Sequence, residues 1–540
     1  MKRFLLGLLL TVTMCTQVHA QAAIAKLKYE EAEEAFAAAD YATVLTKLEE
    51  TEKILGAPNV KTLYLRIVAQ SKLLKTETFV DVEQVLELRK ACQNYLVKYE
   101  NVEGIEEKYK EIYKISELYK AFDIPEQALA NIAKGTASVA DLEAVGDAYY
   151  FVEYYTRAAE YYKKAAARNS GLGMARLGDF YLSGMGVKVD SVQGNTWLDK
   201  AIAAGHPDAF HTRAFSYRYG GQGVPKDSLK AQEFFKKSYE AAMAQPEKGN
   251  GEYLYYAGRA LVDAKGADTL TGVELLQRAV NKGYKEAQYR LGIIYITGTM
   301  VDQDVNKAVQ LLNRSVAKGY IPAMQRMASI YNRGLGNISQ DLNKALDWFE
   351  RTATQGDDYS AYMAGVMYAD GKGVTQDCAK GIAWYELAGK RGYVNGYNVI
   401  GNTYYWGSCV TKDYAKAVRY YEKAGAEGHA AAMNNAGNTY FAGGNGLTQN
   451  YAKAAEWYLK GAAKGNAWCM YNYGNMLYDG KGMTADQAKA AEWYEKSAGL
   501  NNTDAMDKLY SMYYNGIGVK KDKKRAEDWQ AKSSTLKSRE

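Results

Sequence analysis

The stretch that decides the fold is residues 361–392, AYMAGVMYADGKGVTQDCAKGIAWYELAGKRG. Two apolar, helix-forming segments flank a glycine-rich turn, and the first segment places Gly365 three residues before Tyr368. Asp377 then stands where an N-cap carboxylate can accept free backbone N–H groups and favour the positive end of a helix dipole. Gly392 ends the stretch, where a helix C-terminus often needs a left-handed residue. The stretch therefore predicts two short antiparallel helices joined by a turn.

This unit recurs through most of the chain. We call the residue at the place of Gly365 in each unit its anchor. Successive anchors are 34 to 37 residues apart, except for one step of 44 that contains an insertion near residues 245–251. The anchors and the residues three positions later are Gly178/Tyr181, Ala214/Tyr217, Gly258/Leu261, Gly292/Tyr295, Ala328/Tyr331, Gly365/Tyr368, Gly401/Tyr404, Gly437/Tyr440, Gly474/Leu477 and Tyr510/Tyr513. One helix pair cannot bury its apolar face alone, so stacked neighbours build a continuous core. The repeat predicts an all-α fold, an α/α solenoid of about ten antiparallel helix pairs.

The second half of each unit repeats as well. An Asp precedes a Lys-Ala pair by three residues, at Asp227, Asp304, Asp341, Asp413 and Asp486. Three residues after that Ala comes a large side chain, at Phe234, Leu311, Trp348, Tyr420, Trp457, Trp493 and Trp529. The unit closes with glycine at Gly205, Gly283, Gly319, Gly356, Gly392, Gly428 and Gly465. We expect the Asp to cap the second helix, the glycine to end it, and the large side chains to fill the space between units.

These residues closely resemble the Sel1-like repeat, a relative of the tetratricopeptide repeat. Its pattern A-x-x-x-L-G-x-x-Y-x-x-G-x-G-V-x-x-D-x-x-K-A-x-x-W-Y-x-K-A-A-x-x-G can be read through residues 361–392 and again through 433–465. The resemblance covers about residues 140–535. It implies a right-handed α-solenoid that serves as an adaptor or scaffold in protein assemblies.

The glycine turns at 371–373 and 480–482, both Gly-Lys-Gly, invite comparison with phosphate-binding loops. A Walker loop needs G-x-x-x-x-G-K-[ST] between a strand and a helix. Here five residues instead of four separate Gly365 from Gly371, and the residue after the lysine is glycine. The segment before the turn is also a predicted helix. The loops are interpreted as turns within a repeat, and no nucleotide or other cofactor is expected.

The N-terminus has the features of a secretory signal peptide. Lys2 and Arg3 precede an apolar run at residues 4–12, and small residues at positions 18 and 20 fit cleavage after Ala20. The residue before Cys15 is methionine, where a lipoprotein signal wants Gly or Ala, which argues against lipid anchoring. We expect residues 1–20 to be removed and the mature chain to be exported, to the periplasm of a bacterium.

Residues 21–134 lack the repeat pattern but have apolar positions at helical spacing. The first part resembles a divergent tetratricopeptide helix pair that stops at Gly56-Ala57-Pro58. Further helices are predicted at Lys61–Leu74, Val80–Lys98, Glu103–Ala121 and Glu126–Lys134. We expect a helical leader domain over residues 21–134 and the repeat solenoid over 135–535.

The charge balance points away from nucleic acid. The chain has 68 basic and 62 acidic residues, and removal of the signal leaves a net charge of +4. This balance gives no electrostatic footprint for nucleic acid or an anionic membrane. The basic run at residues 520–525 is interpreted as the solvated edge of a last helix, and no later segment is long and apolar enough to span a bilayer.

Residues that carry chemistry are scarce. Beyond the signal the chain has three histidines and four cysteines, and none of them recurs at a metal-ligand spacing. We expect no catalytic residue, no metal and no enzymatic activity. The cysteines are interpreted as mostly unpaired, with a bridge between Cys378 and Cys409 as the less favoured alternative.

One stripe of first-helix residues departs from simple repetition. Relative to the anchor, positions −3, +1 and +4 project about 60, 100 and 40 degrees to one side. In the seventh to ninth repeats these positions hold Asn398, Asn402 and Tyr405, then Asn434, Asn438 and Phe441, then Tyr471, Asn475 and Tyr478. Asn can donate to and accept from a peptide backbone, and Tyr offers rigid contact area with a polar tip. The stripe is a candidate partner-binding surface; the alternative is that neighbouring asparagines bond one another and tie repeats together.

The leading functional hypothesis is a non-enzymatic, exported scaffold that binds a protein or peptide partner at the cell envelope. The second hypothesis, from a different class, is a cell-wall or glycan-associated binding protein or hydrolase with tyrosines as a sugar platform. No well-placed carboxylate pair supports hydrolysis.

Overall fold

The computed structural model describes residues 21–76, 80–100, 102–120, 122, 124–152, 154–221, 223–245, 251–266 and 268–538. The predicted signal peptide and Cys15 lie outside them. The chain divides into two compact units, the first ending at Asp357 (unit 1) and the second spanning Asp358–Glu540 (unit 2). Within the described ranges no helix has the length and apolar character needed to cross a membrane.

The described residues form 28 α-helices and no strand, which confirms the predicted all-α solenoid class. The helices of unit 1 are α1 (21–37), α2 (Tyr41–Leu55), α3 (Val60–Thr76), α4 (Val82–Lys98), α5 (Glu106–Lys120), α6 (Glu126–Ala133), α7 (Val139–Phe151), α8 (Tyr155–Ala166), α9 (Gly171–Ser183), α10 (Ser191–Ala203), α11 (Pro207–Tyr219), α12 (Ser228–Met243), α13 (Glu252–Ala264), α14 (Thr269–Asn281), α15 (Lys285–Thr297), α16 (Val305–Val316), α17 (Ile321–Arg333) and α18 (Leu342–Thr354). Those of unit 2 are α19 (Asp358–Asp370), α20 (Cys378–Lys390), α21 (Asn395–Trp406), α22 (Tyr414–Ala426), α23 (Ala430–Ala442), α24 (Tyr451–Ala463), α25 (Ala467–Asp479), α26 (Gln487–Gly499), α27 (Thr503–Asn515) and α28 (Lys523–Lys537).

From α9 onward the helices alternate as first and second members of ten pairs. The predicted caps are confirmed: nine of the ten second helices begin after side chains that accept backbone N–H groups, at Asp190, Asp227, Asp304, Asp341, Asp377, Asp413, Asn450, Asp486 and Asp522. The exception among the described residues is α14, where Asp268 accepts no such bond. The closing glycines all adopt left-handed backbone, with φ between 71° and 115°. A left-handed residue without a Cβ lets the chain reverse directly into the next repeat.

In four pairs of unit 2 the core depends on the anchor glycine. A side chain of the second helix faces this glycine. It belongs to the residue directly after the large side chain that the repeat pattern places in each second helix. In unit 2 these side chains are Tyr385, Tyr421, Tyr458 and Tyr494, all buried. A Cβ on Gly365, Gly401, Gly437 or Gly474 would overlap those rings. The glycine therefore makes room for an aromatic ring as well as for the partner helix.

Lysines and tyrosines repeat together for a related reason. The Lys three residues after the capping Asp or Asn places its ammonium over the ring of the tyrosine three residues after the anchor, as Lys307 does over Tyr295 at 4.3 Å and Lys453 over Tyr440 at 4.9 Å. The lysine stem covers apolar surface while its charge interacts with the ring face. The Asp-x-x-Lys pattern thus joins the two helices of one unit.

Unit 1 contains a buried network of charges between first helices. Asp208 of α11, 5% exposed, forms ion pairs with Arg176 of α9, at 3.3 Å, and with Arg259 of α13. Asp263 pairs with Arg290 and accepts from His211 at 2.9 Å. These ion pairs connect repeats that follow one another, so charge pairing supplements apolar packing there.

The leader helices confirm the predicted helical pattern, with ends that differ by a few residues. One hydrophobic cluster of buried residues extends from Leu63 to Ala209, so α3 to α11 share core contacts. The domain boundary near residue 134 stays a prediction.

The structure corrects the interpretation of the cysteines. Cys378 and Cys409 form a disulfide, with Cα atoms 5.8 Å apart, whereas Cys92 and Cys469 are buried free thiols. Cys378 is the first residue of α20, and Cys409 lies in the turn after α21 with left-handed backbone (φ 71°). The bridge therefore joins the second helix of one repeat to the turn of the next.

Reduction of this bridge should destabilise unit 2. It closes a loop with a sequence separation of 31, and loops of that length are typically stabilised by about 2–4 kcal/mol when cross-linked. We expect a lower melting temperature in the presence of a phosphine reductant. The control is the double variant Cys378→Ser with Cys409→Ser. Its melting temperature should equal that of the reduced protein and should not change when the reductant is added. A wild-type melting temperature unaffected by reduction would contradict the prediction.

Candidate functional site

The predicted stripe lies on three consecutive first helices of unit 2, α21, α23 and α25. Asn398 is buried at 9% exposure, and the other eight stripe residues are half-buried. Each helix contributes side chains from one face, as the helical spacing predicted. The structure brings all nine residues into one band within this unit.

The amide oxygens of the stripe are engaged inside the protein. Tyr421, Tyr458 and Tyr494 donate their hydroxyls to the Oδ1 atoms of Asn402, Asn438 and Asn475 at 2.8, 2.7 and 2.7 Å. These are the same tyrosines whose rings lie across the anchor glycines. Within each repeat the asparagine thus fixes the tip of the ring for which the glycine makes room.

A second set of bonds crosses from repeat to repeat. Asn435 Nδ2 donates to Oδ1 of Asn398 at 3.1 Å and of Asn402 at 3.4 Å. Asn472 Nδ2 donates in the same way to Asn434 at 2.9 Å and Asn438 at 3.2 Å. The stripe asparagines do not bond one another directly, because a residue at position −2 of the next repeat connects them.

Sequence reasoning missed Asn435 and Asn472. The available signal was that both stand at position −2, about 160 degrees round the helix from the anchor and next to the stripe. Their partners belong to the preceding repeat, and the spacing within one helix does not show such a contact.

The amide nitrogens differ from the oxygens. Asn402, Asn434, Asn438 and Asn475 accept bonds through Oδ1, but within the residues that the structure describes none of their Nδ2 groups has a hydrogen-bond partner. Because their oxygens are held by tyrosine hydroxyls or by neighbouring amides, the orientation of each side chain is fixed. Four oriented N–H₂ donors in successive repeats match acceptors spaced along an extended chain, such as peptide carbonyls.

Aromatic side chains flank these donors. Tyr405 stacks on Tyr414 with ring centroids 4.7 Å apart, Phe441 lies against Tyr451 at 5.1 Å, and Lys508 covers Tyr478 at 5.6 Å. Tyr471 contacts Trp468 at 6.0 Å. The aromatic members of the stripe are therefore packed, with part of each ring still accessible.

The most exposed aromatic residues of unit 2 lie next to the stripe. Trp406 is 67% exposed, Trp468 is 51% exposed and Tyr359 is 43% exposed. They occupy position +5 or −6 relative to their anchors, which project about 140 and 120 degrees to the same side as the stripe. Exposed Trp and Tyr beside oriented donors are typical of surfaces that bind other molecules.

Other candidate chemistry is weak. Among the described residues no three His, Cys, Asp or Glu side chains are grouped so that they could hold a metal ion. The Gly-Lys-Gly loops are turns between α19 and α20 and between α25 and α26, with all four glycines at φ of 68° or 73°. A Cβ on Gly482 would overlap Tyr451 at the start of α24, so the second glycine lets the turn contact the preceding repeat.

The family profile described as Sel1 repeat matches the chain eleven times, at residues 152–170, 171–206, 214–243, 249–284, 285–320, 321–357, 358–393, 396–429, 430–466, 469–502 and 505–537. The matches cover more than half of the chain. The protein therefore belongs to the Sel1 repeat family, and the predicted resemblance is confirmed. Proteins of this family are helical repeat scaffolds that typically mediate protein interactions and are generally not enzymes.

Two solved structures are similar to the chain. The chain is similar to a protective antigen of uropathogenic Escherichia coli strains that displays an SLR fold, with 26% identity over 76% of this chain and 86% of that one, and a TM-score of 0.41. It is also similar to a Sel1 repeat protein from Oxalobacter formigenes, with 26% identity over 55% of this chain and 87% of that one, and a TM-score of 0.47. No curated protein matches the chain.

Proposed function

We propose that this protein is an exported, non-enzymatic scaffold that binds a protein partner through an extended peptide segment along the stripe of unit 2. The observation that supports it is the row of oriented Nδ2 donors at Asn402, Asn434, Asn438 and Asn475, with exposed Trp406 and Trp468 beside it. Donors in successive repeats bind backbone carbonyls, and the aromatic rings contact side chains. Affinity comes from many modest contacts on a rigid surface instead of one reactive group.

A substitution of Asn by Asp separates binding from stability. In Asn402→Asp, Asn438→Asp and Asn475→Asp combined, each carboxylate still accepts from its tyrosine hydroxyl, but the N–H₂ donor becomes an acceptor. We expect a melting temperature within a few degrees of wild type and a loss of peptide binding of about tenfold or more, since a carboxylate oxygen now faces each peptide carbonyl in place of the N–H₂ donor. The probe is a random-peptide display library selected on the wild-type chain, and its enriched peptides are then measured by fluorescence anisotropy.

Two further variants sharpen this test. Alanine at the same three positions removes both donor and acceptor, so melting temperature and binding should fall together. The double variant Trp406→Ala with Trp468→Ala tests the surface aromatic residues. Its matched control is Tyr219→Ala, which changes a tyrosine of unit 1 that is 70% exposed. The control should keep full peptide affinity. Peptide binding retained in the triple Asp variant would overturn the stripe as the binding surface.

The glycan-binding alternative predicts a different outcome. Exposed Trp406 and Trp468 could stack on sugar rings, and such stacking needs no amide donors. Purified peptidoglycan sacculi would then pull down the wild type and the triple Asp variant equally, and only the double Trp variant would lose binding. This pattern, without enriched peptides, would replace the peptide-binding proposal.

The proposal places the scaffold in the periplasm at the cell envelope, because the N-terminal signal supports export. Expression of the full chain in a Gram-negative host should yield a periplasmic protein whose first residue is Gln21. A chain that stays in the cytoplasm and begins at Met1 would contradict export.

A further inference from the structure

Unit 1 contains a solvent-open cavity that the proposed function does not use. Within this unit α7 lies against residues from much later repeats: the Phe151 ring is 5.6 Å from that of Tyr320, and Lys285 Nζ is 4.3 Å from the Phe151 ring centroid. The space between α7 and the starts of α13 and α15 has a volume of about 840 Å³. Apolar wall residues include Phe122, Phe151 and Leu172. This volume is large enough for a small organic ligand or a protruding side chain.

Four carboxyl groups face this cavity. Glu143 and Asp147 stand one turn apart on α7, Glu252 begins α13, and Glu286 lies in the first turn of α15. Glu143 accepts from Ser170 at 2.5 Å, Asp147 from Tyr162 at 2.6 Å and Glu252 from Tyr256 at 2.9 Å. Their partners are neutral hydroxyls.

Among the described residues no side chain donates to Glu286, and the donor that acts on its carboxyl is its own backbone amide. Its Oε2 atom is shielded from solvent and accepts no hydrogen bond from any described residue. Across the described part of unit 1, none of the four carboxyl groups forms an ion pair, although Asp208 nearby has two arginines. A shielded carboxylate oxygen without a donor is costly, so its presence at a cavity wall points to a donor supplied by a ligand.

The cations around the cavity, Lys285 among them, offset the charge of these groups only in part. Lys120, Lys282 and Lys318 are exposed at its rim, and Lys318 Nζ donates to the carbonyl of Gly283 at 2.7 Å. Burial raises the pKa of Glu143, Asp147 and Glu252, and it raises that of Glu286 to about 7. Neighbouring carboxyl groups raise these pKa values further. Lys285 opposes the rise at Asp147 and Glu286, and the buried Arg176 opposes it at Asp147, Glu252 and Glu286. The wall of the cavity thus carries more buried negative charge than its own cations offset.

The arrangement favours an organic cation over a metal ion. Among the described residues no three carboxyl groups converge closely enough to ligate one metal. A ligand that satisfies several of them must therefore carry its donors on a longer frame. An alkyl stem would pack on the apolar wall.

We propose that this cavity binds an alkylammonium group, with Glu252 and Glu286 as its principal hydrogen-bond acceptors. Two sources share this chemistry: the lysine side chain of a partner protein and a free diamine. The cavity lies in unit 1 and the stripe in unit 2, so a negative binding result for one site leaves the proposal for the other site unaffected.

Calorimetric titration of the mature chain, residues 21–540, at pH 8 tests the proposal. The probes are 1,5-diaminopentane, an acetylated and amidated Gly-Lys-Gly peptide, and 1,5-pentanediol as the uncharged control. We expect saturable binding of at least one cationic probe and none of the diol. Binding of the diamine alone identifies a free amine as the source, and binding of the peptide identifies a lysine side chain; both support the proposal.

Glu286→Gln and Glu252→Gln should each weaken that binding by about tenfold or more, since a charged acceptor is lost while the shape is kept. The matched control is Glu274→Gln, an exposed residue of α14 outside the cavity, which should leave affinity unchanged. The proposal fails if neither cationic probe binds, if the diol binds equally well, or if the two cavity variants bind like the control.

Acidity provides an independent check on Glu286. The charged and titratable groups that act on it are Lys285, Asp147 and Arg176, and Tyr284 and Tyr320 also interact with it electrostatically. Because the folded-state pKa lies above the ordinary value of 4.5, the folded protein loses stability as pH rises from about 4.5 to about 7. Glu286→Gln removes this loss. We expect the variant to have a higher melting temperature than wild type at pH 8 and a similar one at pH 4.5. If variant and wild type melt at the same temperature at both pH values, Glu286 is not buried as described.

Discussion

Replacement of Asp208 by alanine is expected to lower the free energy of unfolding of unit 1 by about 3–5 kcal/mol, because it leaves buried guanidinium groups without their anion. Arg176 and Arg259 approach the carboxylate from the two flanking first helices, and their side chains are only 21% and 16% exposed. Burial alone would raise the pKa of Asp208, but Arg259 and Arg176 hold it well below its usual value. The carboxylate therefore stays ionised, and the loss should be the same at pH 5 and pH 8.

The measurement is urea unfolding followed by far-UV circular dichroism, with the two units resolved as separate transitions where they differ. Asp347→Ala is the control, since Asp347 and its partner Arg351 are both 54% exposed and such pairs contribute only about 0.3–0.5 kcal/mol. Asp208→Asn distinguishes charge from volume and should lose nearly as much stability as the alanine variant. A loss no larger than that of Asp347→Ala would show that solvent reaches the two arginines.

A second large effect is expected at an anchor glycine. In Gly437→Ala the new Cβ would overlap the ring of Tyr458, which is 3% exposed and whose hydroxyl is fixed by Asn438. Overpacking and a weakened buried hydrogen bond together should cost about 2–4 kcal/mol. The control is Gly499→Ala near the end of α26, where a Cβ would meet nothing within 4 Å and alanine favours the helix.

The chain itself suggests how to rescue this variant. Ala214 and Ala328 occupy the anchor position in two repeats, and the facing side chains there are Phe235 and Phe349 instead of tyrosine. Without a hydroxyl bonded to an asparagine, a ring can shift away from a methyl group. Gly437→Ala combined with Tyr458→Phe should therefore lose less stability than the two single losses added together. Strict additivity would show that the Asn438 bond does not hold the ring in place.

The repeat architecture could be predicted because its determinants are local. A cap, a left-handed glycine and a helical apolar face each depend on residues within a few positions, and they recur ten times. Asp377 and Gly392, the ends of the second helix in the stretch first quoted, were both predicted and found in these roles. The candidate stripe was also placed on one face, since positions −3, +1 and +4 share that face in any helix.

Contacts between repeats were harder to predict. The disulfide illustrates the reason: Cys409 occupies the place of the second glycine of the turn, and Cys378 occupies the first position of the preceding second helix. Elsewhere the equivalent pair is Gly482 and Tyr451, which lie in contact. Spacing alone did not reveal that these positions meet, because the contact is set by how one helix pair stacks on another.

The sequence by itself determined the helix pairs, their caps, the repeat number and the face on which the stripe lies, because each follows from backbone geometry over short distances. Only the tertiary structure decided which polar atoms of that stripe are already bonded, which cysteines are paired, and that buried carboxyl groups from α7, α13 and α15 line one cavity. Those features join residues that lie dozens to more than a hundred positions apart, and their proximity depends on the accumulated rotation of successive repeats.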